Sequence, residues 1–302
     1  MEGGDDLTGP GARVTPGRPS LTALALALLP YTAHMEFRAL AFDLDGTLLD
    51  RQERVPPRNL AAVRAAMAAG YTVIVASARW RALAQKIADD VGTLAPIVCC
   101  SGAEVWSQAA GRDLLDLRLP EAFATALYAL CDENRCVATV AVDEDVVVKM
   151  DGQPDLASMP VGMRWVPSLT RGVPARPRIA LIQGTDTVQL IEDSLREEWG
   201  EAVRFVESFS SHGKRILTLT AAGADKGVAL GVACAELGIP VQSVIAFGDA
   251  ENDIEMFRVA GAAVAMGQAS DHVKGHATFV TAPNSEDGVA VAVERLLANG
   301  RL

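Results

Sequence analysis

The stretch RALAFDLDGTLLD, residues 38–50, decides the fold. Ala39–Phe42 is a short apolar run without polar alternation, the pattern of a parallel strand buried on both faces. It ends in two acids, Asp43 and Asp45, with Gly46 and Thr47 directly behind them. Carboxylates at positions i and i+2 repel each other unless something offsets their charge. A divalent cation does so, and hard oxygen donors without His or Cys point to Mg²⁺. D-x-D-G is also a common capped turn. Here the apolar strand ahead of it puts both acids at a strand's carboxyl end, where open α/β sheets bind ligands.

Outward from this strand the grammar repeats. PPRNLAAVRAAMAAG (56–70) reads as a helix with proline at its start and Gly70 as its stop. YTVIVAS (71–77) is a second buried strand, RWRALAQKIADDVG (79–92) a second helix, and APIVCCSGA (95–103) a third strand. This β-α-β-α-β order predicts a Rossmann-like, doubly wound parallel sheet, an α/β core. The C-terminal third returns to it: helix ADKGVALGVACAELGIP (224–240), strand SVIAFGD (243–249), helix ENDIEMFRVA (251–260), two short strands and a closing helix. Between them, residues 117–212 change character, with a helix, alternating strand segments and a loop-rich stretch. They read as an α+β module inserted into the core, which then comprises residues 35–116 and 213–302. Residues 1–34, rich in Gly, Pro and Thr, read as a disordered extension. A signal peptide fits less well, because acids at Glu2, Asp5 and Asp6 precede the apolar run LTALALALLP.

Three further pieces accompany the acid pair. Ser77 ends the second strand just before a helix, where a hydroxyl and free amides suit an anion, although an N-cap is the simpler role. Lys226 opens a helix, a place that disfavours a cation unless an anion is near. Gly248, Asp249, Asn252 and Asp253 repeat the pattern of an apolar strand running into acids. Asn252 and Asp253 lie three and four residues beyond Asp249 and project to one side. Carboxylates from two strand ends can share one Mg²⁺, with Ser77 and Lys226 holding an anion, and this makes a phosphoryl-transfer site.

Composition narrows the field. The formal charge of −11 argues against binding a phosphate backbone, and no apolar run reaches the length of a membrane span. The five cysteines, 99, 100, 131, 136 and 234, read as buried thiols of a cytoplasmic protein. His272 and His276 read as a surface pair rather than metal ligands.

The order D-x-D-G-T, then Ser, then Lys, then G-D-x-x-N-D resembles the haloacid dehalogenase superfamily of phosphatases. CCSGAEVW (99–106) and NSEDGVAVAVERLL (284–297) are similar to turns of its Cof-type subfamily. Two departures stand out: Ser77-Ala78-Arg79 replaces Thr-Gly-Arg, and Ser101 replaces an Asn. The resemblance implies Asp43 as nucleophile, forming an aspartyl-phosphate, and Asp45 as general acid and base. It implies Mg²⁺ on Asp43, the Asp45 main-chain carbonyl and Asp249, with Asp253 as a further ligand or as a carboxylate that supports them. Ser77, Lys226 and Asn252, with Gly46 and Thr47, would hold the phosphate. The 34 residues from Asp43 to Ser77 leave no room for an insert, whereas the 149 from Ser77 to Lys226 do. The module is thus expected to be a type II cap, with Lys149, Arg164, Trp165 and His212 as candidate contacts to a small phosphate-ester substrate. A sugar phosphate is the expected ester. A mannosyl-3-phosphoglycerate phosphatase, a sugar phosphomutase, or a module that accepts phosphoryl without turnover are the alternatives.

Overall fold

The computed structural model describes residues 37–302 apart from 156–158, 160–161, 174 and 210–212. The expectations for residues 1–34 and for His212 therefore lie outside the described residues. The elements run β1 (Ala39–Phe42), α1 (Pro57–Ala68), β2 (Thr72–Val75), α2 (Arg81–Val91), β3 (Ile97–Cys99), β4 (Glu104–Ser107) and β5 (Arg112–Asp116). They continue with α3 (Glu121–Glu133), β6 (Val137–Val142), β7 (Asp145–Lys149), β8 (Met163–Val166), α4 (Leu169–Gly172), β9 (Ile179–Gln183), α5 (Thr185–Trp199), β10 (Val203–Phe209) and β11 (Arg215–Ala221). The last third holds α6 (Lys226–Leu237), β12 (Val244–Gly248), α7 (Ile254–Val259), β13 (Ala262–Ala265), α8 (Asp271–Lys274), β14 (Phe279–Val280) and α9 (Gly288–Asn299).

The first sheet has the order β14-β13-β12-β1-β2, and all its pairings are parallel. Every residue of β1 is fully buried, as its unbroken apolar run requires. Phe42 and Phe247, on adjacent strands, pack with ring centroids 4.6 Å apart. Truncating either to Ala typically costs about 3–5 kcal/mol. The chain leaves β1 toward β2 on one side, while β12, β13 and β14 extend the other, so β1 and β12 flank the topological switch point. The third strand departs from expectation. It touches the first sheet through a single bridge, Ala76 to Val98, and then pairs antiparallel with β4 and β5 in a small sheet of its own. Helix α1 buries Asn59, Ala62, Val63 and Ala66, a three-to-four spacing, against α9. Asn59 Oδ1 accepts the Ala290 amide at 3.0 Å, giving one of the free N–H groups of α9 a partner.

The second sheet has the order β10-β11-β9-β6-β7-β8, antiparallel except for β7 with β8. Helices α3 and α5 cover one face, where Phe123, Leu127 and Ile191 meet Val140, Ile182, Leu217 and Leu219. The other face carries the opposite set of alternating residues. Arg215–Ala221 belongs to this sheet, so the inserted layer continues past residue 212, where the sequence reading drew its end. The local pattern hides this, because β11 is as apolar as a core strand. Among the described residues no helix is long and apolar enough to cross a membrane.

Candidate active site

The acid pair leaves β1 at the switch point. Asp43 N donates to Phe247 O of β12 at 3.0 Å, which fixes the Asp43 side chain beside the end of that strand. Gly46 turns the loop at φ 82°, and a Cβ there would strike the Asp249 carboxylate, so only glycine lets the two strand ends meet. Carboxylate oxygens of Asp43, Asp249 and Asp253 lie within 4.8 Å of one another.

Lys226 sits among them, with no exposed surface. Its Nζ donates to Asp43 Oδ1 at 2.6 Å and to Asp253 Oδ1 at 2.7 Å. Burial would pull this ammonium down, but Asp253 and Asp43 hold it above the usual lysine range. Burial, then the charges of Asp253 and Asp249, push Asp43 well above the usual carboxylate range, against the pull of Lys226. Asp249 is raised to about 6, first by burial and then by Asp253. Two buried carboxylates and the half-buried Asp249 beside one ammonium carry excess negative charge. An all-oxygen donor set with that excess suits a hard divalent cation.

The three acids are not equivalent. Asp253 Oδ1 is taken by Lys226, and Oδ2 accepts the amides of Asp249 at 2.9 Å and Ala250 at 3.0 Å. It braces Lys226 and the Asp249 amide, and it stands among the three acids close enough together to share a cation. Thr47, fully buried, donates its hydroxyl to Asp249 Oδ1 at 3.3 Å and so helps position that acid. Ser77 is buried at the end of β2, beside Asp43 on the neighbouring strand, and its Oγ accepts the Arg79 amide at 3.1 Å. It is no helix cap: α2 begins at Arg81, with Trp80 in the cap position. Asp45 is held by Arg79, whose Nη2 lies 2.6 Å from Oδ1.

The turn after β3 closes the floor. Cys100 and Ser101 both adopt positive φ, at 51° and 56°. A Cβ on Gly102 would collide with the Asp225 backbone, so glycine there admits the start of α6 and with it Lys226.

Beside Asp249 and Asn252 a cavity of about 430 Å³ opens, walled by Ser101 and by Arg204, Thr218 and Thr220 of the second sheet. Along β11, Leu217 and Leu219 pack under the helices while Thr218 and Thr220 face the cavity.

The expected contacts from the inserted layer are elsewhere. Lys149 is buried, its Nζ donating to Cys131 O at 2.7 Å and Cys136 O at 3.1 Å, where it satisfies carbonyls at the end of α3. Arg164 and Trp165 lie on β8, at the opposite edge of the sheet from β10, bonded to Gly172 O at 2.9 Å and Met150 O at 3.5 Å. None of the three is among the described residues lining the cavity. Sequence reasoning also missed Gln268 and Asn284. Gln268 Nε2 donates to Gly46 O at 2.7 Å and Asp249 Oδ2 at 3.3 Å, and Asn284 Nδ2 to Thr47 O at 2.7 Å. The alternation in RILTLTA signals the Thr pair. Nothing local to Gln268 marks it.

The profile of the haloacid dehalogenase-like hydrolases matches residues 40–293. The chain is 28% identical over 287 residues to the 5-amino-6-(5-phospho-D-ribitylamino)uracil phosphatase YwtE of Bacillus subtilis, covering 86% of this chain and 98% of that protein. It is 26% identical over 273 residues to the pyridoxal phosphate phosphatase YbhA of Escherichia coli, covering 85% and 97%. A haloacid dehalogenase-like hydrolase from Bacteroides thetaiotaomicron superposes with a TM-score of 0.75 at 25% identity, over 86% of this chain and all of that one. The strand-end acids, the buried lysine and the profile agree: this chain belongs to the haloacid dehalogenase-like hydrolases, as an enzyme of their Cof-type phosphatase branch.

Proposed function

We propose that the chain hydrolyses phosphomonoesters of small metabolites, sugar phosphates foremost, with Mg²⁺ and through a phosphoaspartyl intermediate on Asp43. The observation that carries this reading is Asp43 itself: a buried carboxylate at the switch point, with one oxygen engaged by Lys226 and a cavity of small-molecule size opening beside Asp249. The named activities of the two curated relatives, on phosphorylated ring-bearing metabolites, support it. The inserted layer then acts as a cap, with the β10–β11 face toward the leaving group. The five free, buried cysteines support a reducing, cytoplasmic setting.

With Oδ1 held by Lys226, Asp43 attacks phosphorus through its other oxygen, and the bond from phosphorus to the leaving oxygen breaks. Asp45 turns from Arg79 and gives that oxygen a proton. As a carboxylate it then takes a proton from water. The water oxygen attacks phosphorus, the bond to Asp43 breaks, and inorganic phosphate is released. Lys226, Ser77 and Asn252 hold the phosphoryl oxygens, and the ammonium stabilises the charge that gathers there. Asp43, Asp249 and the Asp45 main-chain carbonyl would hold Mg²⁺, braced by Asp253, Thr47 and Gln268. Bound there, Mg²⁺ neutralises charge on the phosphoryl group and lets a dianion approach Asp43.

A screen of sugar phosphates, pyridoxal phosphate and p-nitrophenyl phosphate, with Mg²⁺ and after EDTA, tests the reading. Phosphate release that depends on Mg²⁺ is expected. Activity that survives exhaustive chelation, or no release from any ester, refutes it.

A further inference from the structure

The charged groups on the cavity wall carry an inference about the leaving group, and it rests on the phosphatase reading above. Arg204 is the only cation among the described residues lining the cavity. It is not free. One Nη donates to Ala224 O at 2.7 Å, and the other is paired with Glu255 of α7. The two side chains are 29% and 21% exposed, so the pair is sheltered from much of the solvent. Glu207, also on the wall, is spent on Arg215, 2.7 Å away. Glu251 adds an exposed carboxylate.

A carboxylate on the leaving group would meet Glu251 and Glu255 there, with the wall's one guanidinium engaged. Winning Arg204 would strand Glu255, and a sheltered charge without a partner is costly. Hydroxyl groups meet no such conflict, because Ser101, Thr218 and Thr220 offer donors and acceptors. We infer that Glu255, by holding Arg204, makes this enzyme discriminate against phosphomonoesters whose leaving group carries a second negative charge, and assigns its substrates to neutral, hydroxyl-bearing leaving groups. Arg204 and Glu255 are thus a specificity pair that ties β10 to α7 across the cavity.

Competition tests this on the full chain with Mg²⁺, using p-nitrophenyl phosphate as reporter. Any phosphomonoester that enters the site competes, whether or not it turns over. Glucitol 6-phosphate and 6-phosphogluconate are both open-chain and differ mainly in the leaving group's carboxylate. The neutral ester should compete about tenfold more strongly or better, since like charges brought together at a binding surface suppress the wrong partner. Glu255→Gln releases Arg204, and the preference should collapse or invert, while Glu255→Asp keeps much of it. Equal competition in the wild type, preference for 6-phosphogluconate, no competition by either, or a ratio unmoved by Glu255→Gln each overturns the inference. Absence of Mg²⁺-dependent p-nitrophenyl phosphate turnover strikes the phosphatase reading instead.

Discussion

Arg79 grips Asp45 through two parallel hydrogen bonds, Nε to Oδ2 at 2.8 Å and Nη2 to Oδ1 at 2.6 Å. Arg79 is mostly buried, whereas the Asp45 side chain is 57% exposed. The arginine therefore acts as a fixed cradle, and the acid is the member that can move. If Asp45 is the general acid, Asp45→Asn should lose roughly 10²–10⁴-fold in kcat on a sugar phosphate. Its loss on p-nitrophenyl phosphate should be smaller, since p-nitrophenolate leaves without a proton. Arg79→Gln should lose less than Asp45→Asn on the sugar ester, because the acid remains and only its rest position loosens. Steady-state rates on both esters decide it, and equal losses on the two would reassign Asp45.

Asp43 and Lys226 should respond to substitution in opposite directions. Lys226→Met leaves the buried Asp43 and Asp253 without their cation, a class of change that costs about 3–5 kcal/mol. Asp43→Asn removes one of three crowded acids and should raise stability by about 1 kcal/mol, the usual trade at a strained site. Urea unfolding midpoints in the presence of EDTA measure both. The Asp43→Asn protein should also form no acid-stable phosphoenzyme when given labelled substrate.

A cation that binds the folded acid cluster must stabilise it. Mg²⁺ at about a hundred times its dissociation constant adds roughly 2.7 kcal/mol. The thermal midpoint should thus climb with Mg²⁺ concentration in the wild type and much less in Asp249→Asn. A flat midpoint over millimolar Mg²⁺ would argue against the ligand assignment without any activity being measured.

Glu104 makes stability depend on pH away from the active site. It is buried beside Arg178 at 3.9 Å and Arg81 at 3.3 Å, yet it is raised from 4.5 to about 7. Burial outweighs the two guanidiniums, because Arg178 is committed to Asp113 and Asp116, each at 2.8 Å. Glu104 Oε1 and Asp113 Oδ1 are buried and lack a donor. A proton on Glu104 shared with Asp113 satisfies both. Below pH 4.5 both folded and unfolded chains carry that proton. As pH rises toward 7 the unfolded chain gives it up first, so stability falls through that window. Glu104→Gln keeps a donor and abolishes the titration. Calorimetry should find the variant gaining on the wild type between pH 5 and pH 8, and a constant difference would show that Glu104 is ionised throughout.

The sequence alone determined the α/β core and the four motifs of the candidate site, since each is local. A short apolar run bounded by turn residues reads as a buried strand, and an acid directly behind such a strand stands at its carboxyl end. Asp43, Ser77 and Asp249 were legible for this reason, and Lys226 by its place at a helix start, which disfavours a cation unless an anion is near. The tertiary structure alone decided which side chains are spent on partners. Lys149 reads as a substrate contact until its ammonium is found on the Cys131 and Cys136 carbonyls. The bonds of Thr47 and Asp253 to Asp249 and its neighbours likewise show only in the folded chain. Arg204 and Glu255 are 51 residues apart in the chain and become partners only when the β10–β11 hairpin lies over α7. A polar group's availability depends on what the fold brings within about 3 Å of it. No periodicity in the sequence encodes that, because the partner comes from another strand or helix whose approach is set by packing.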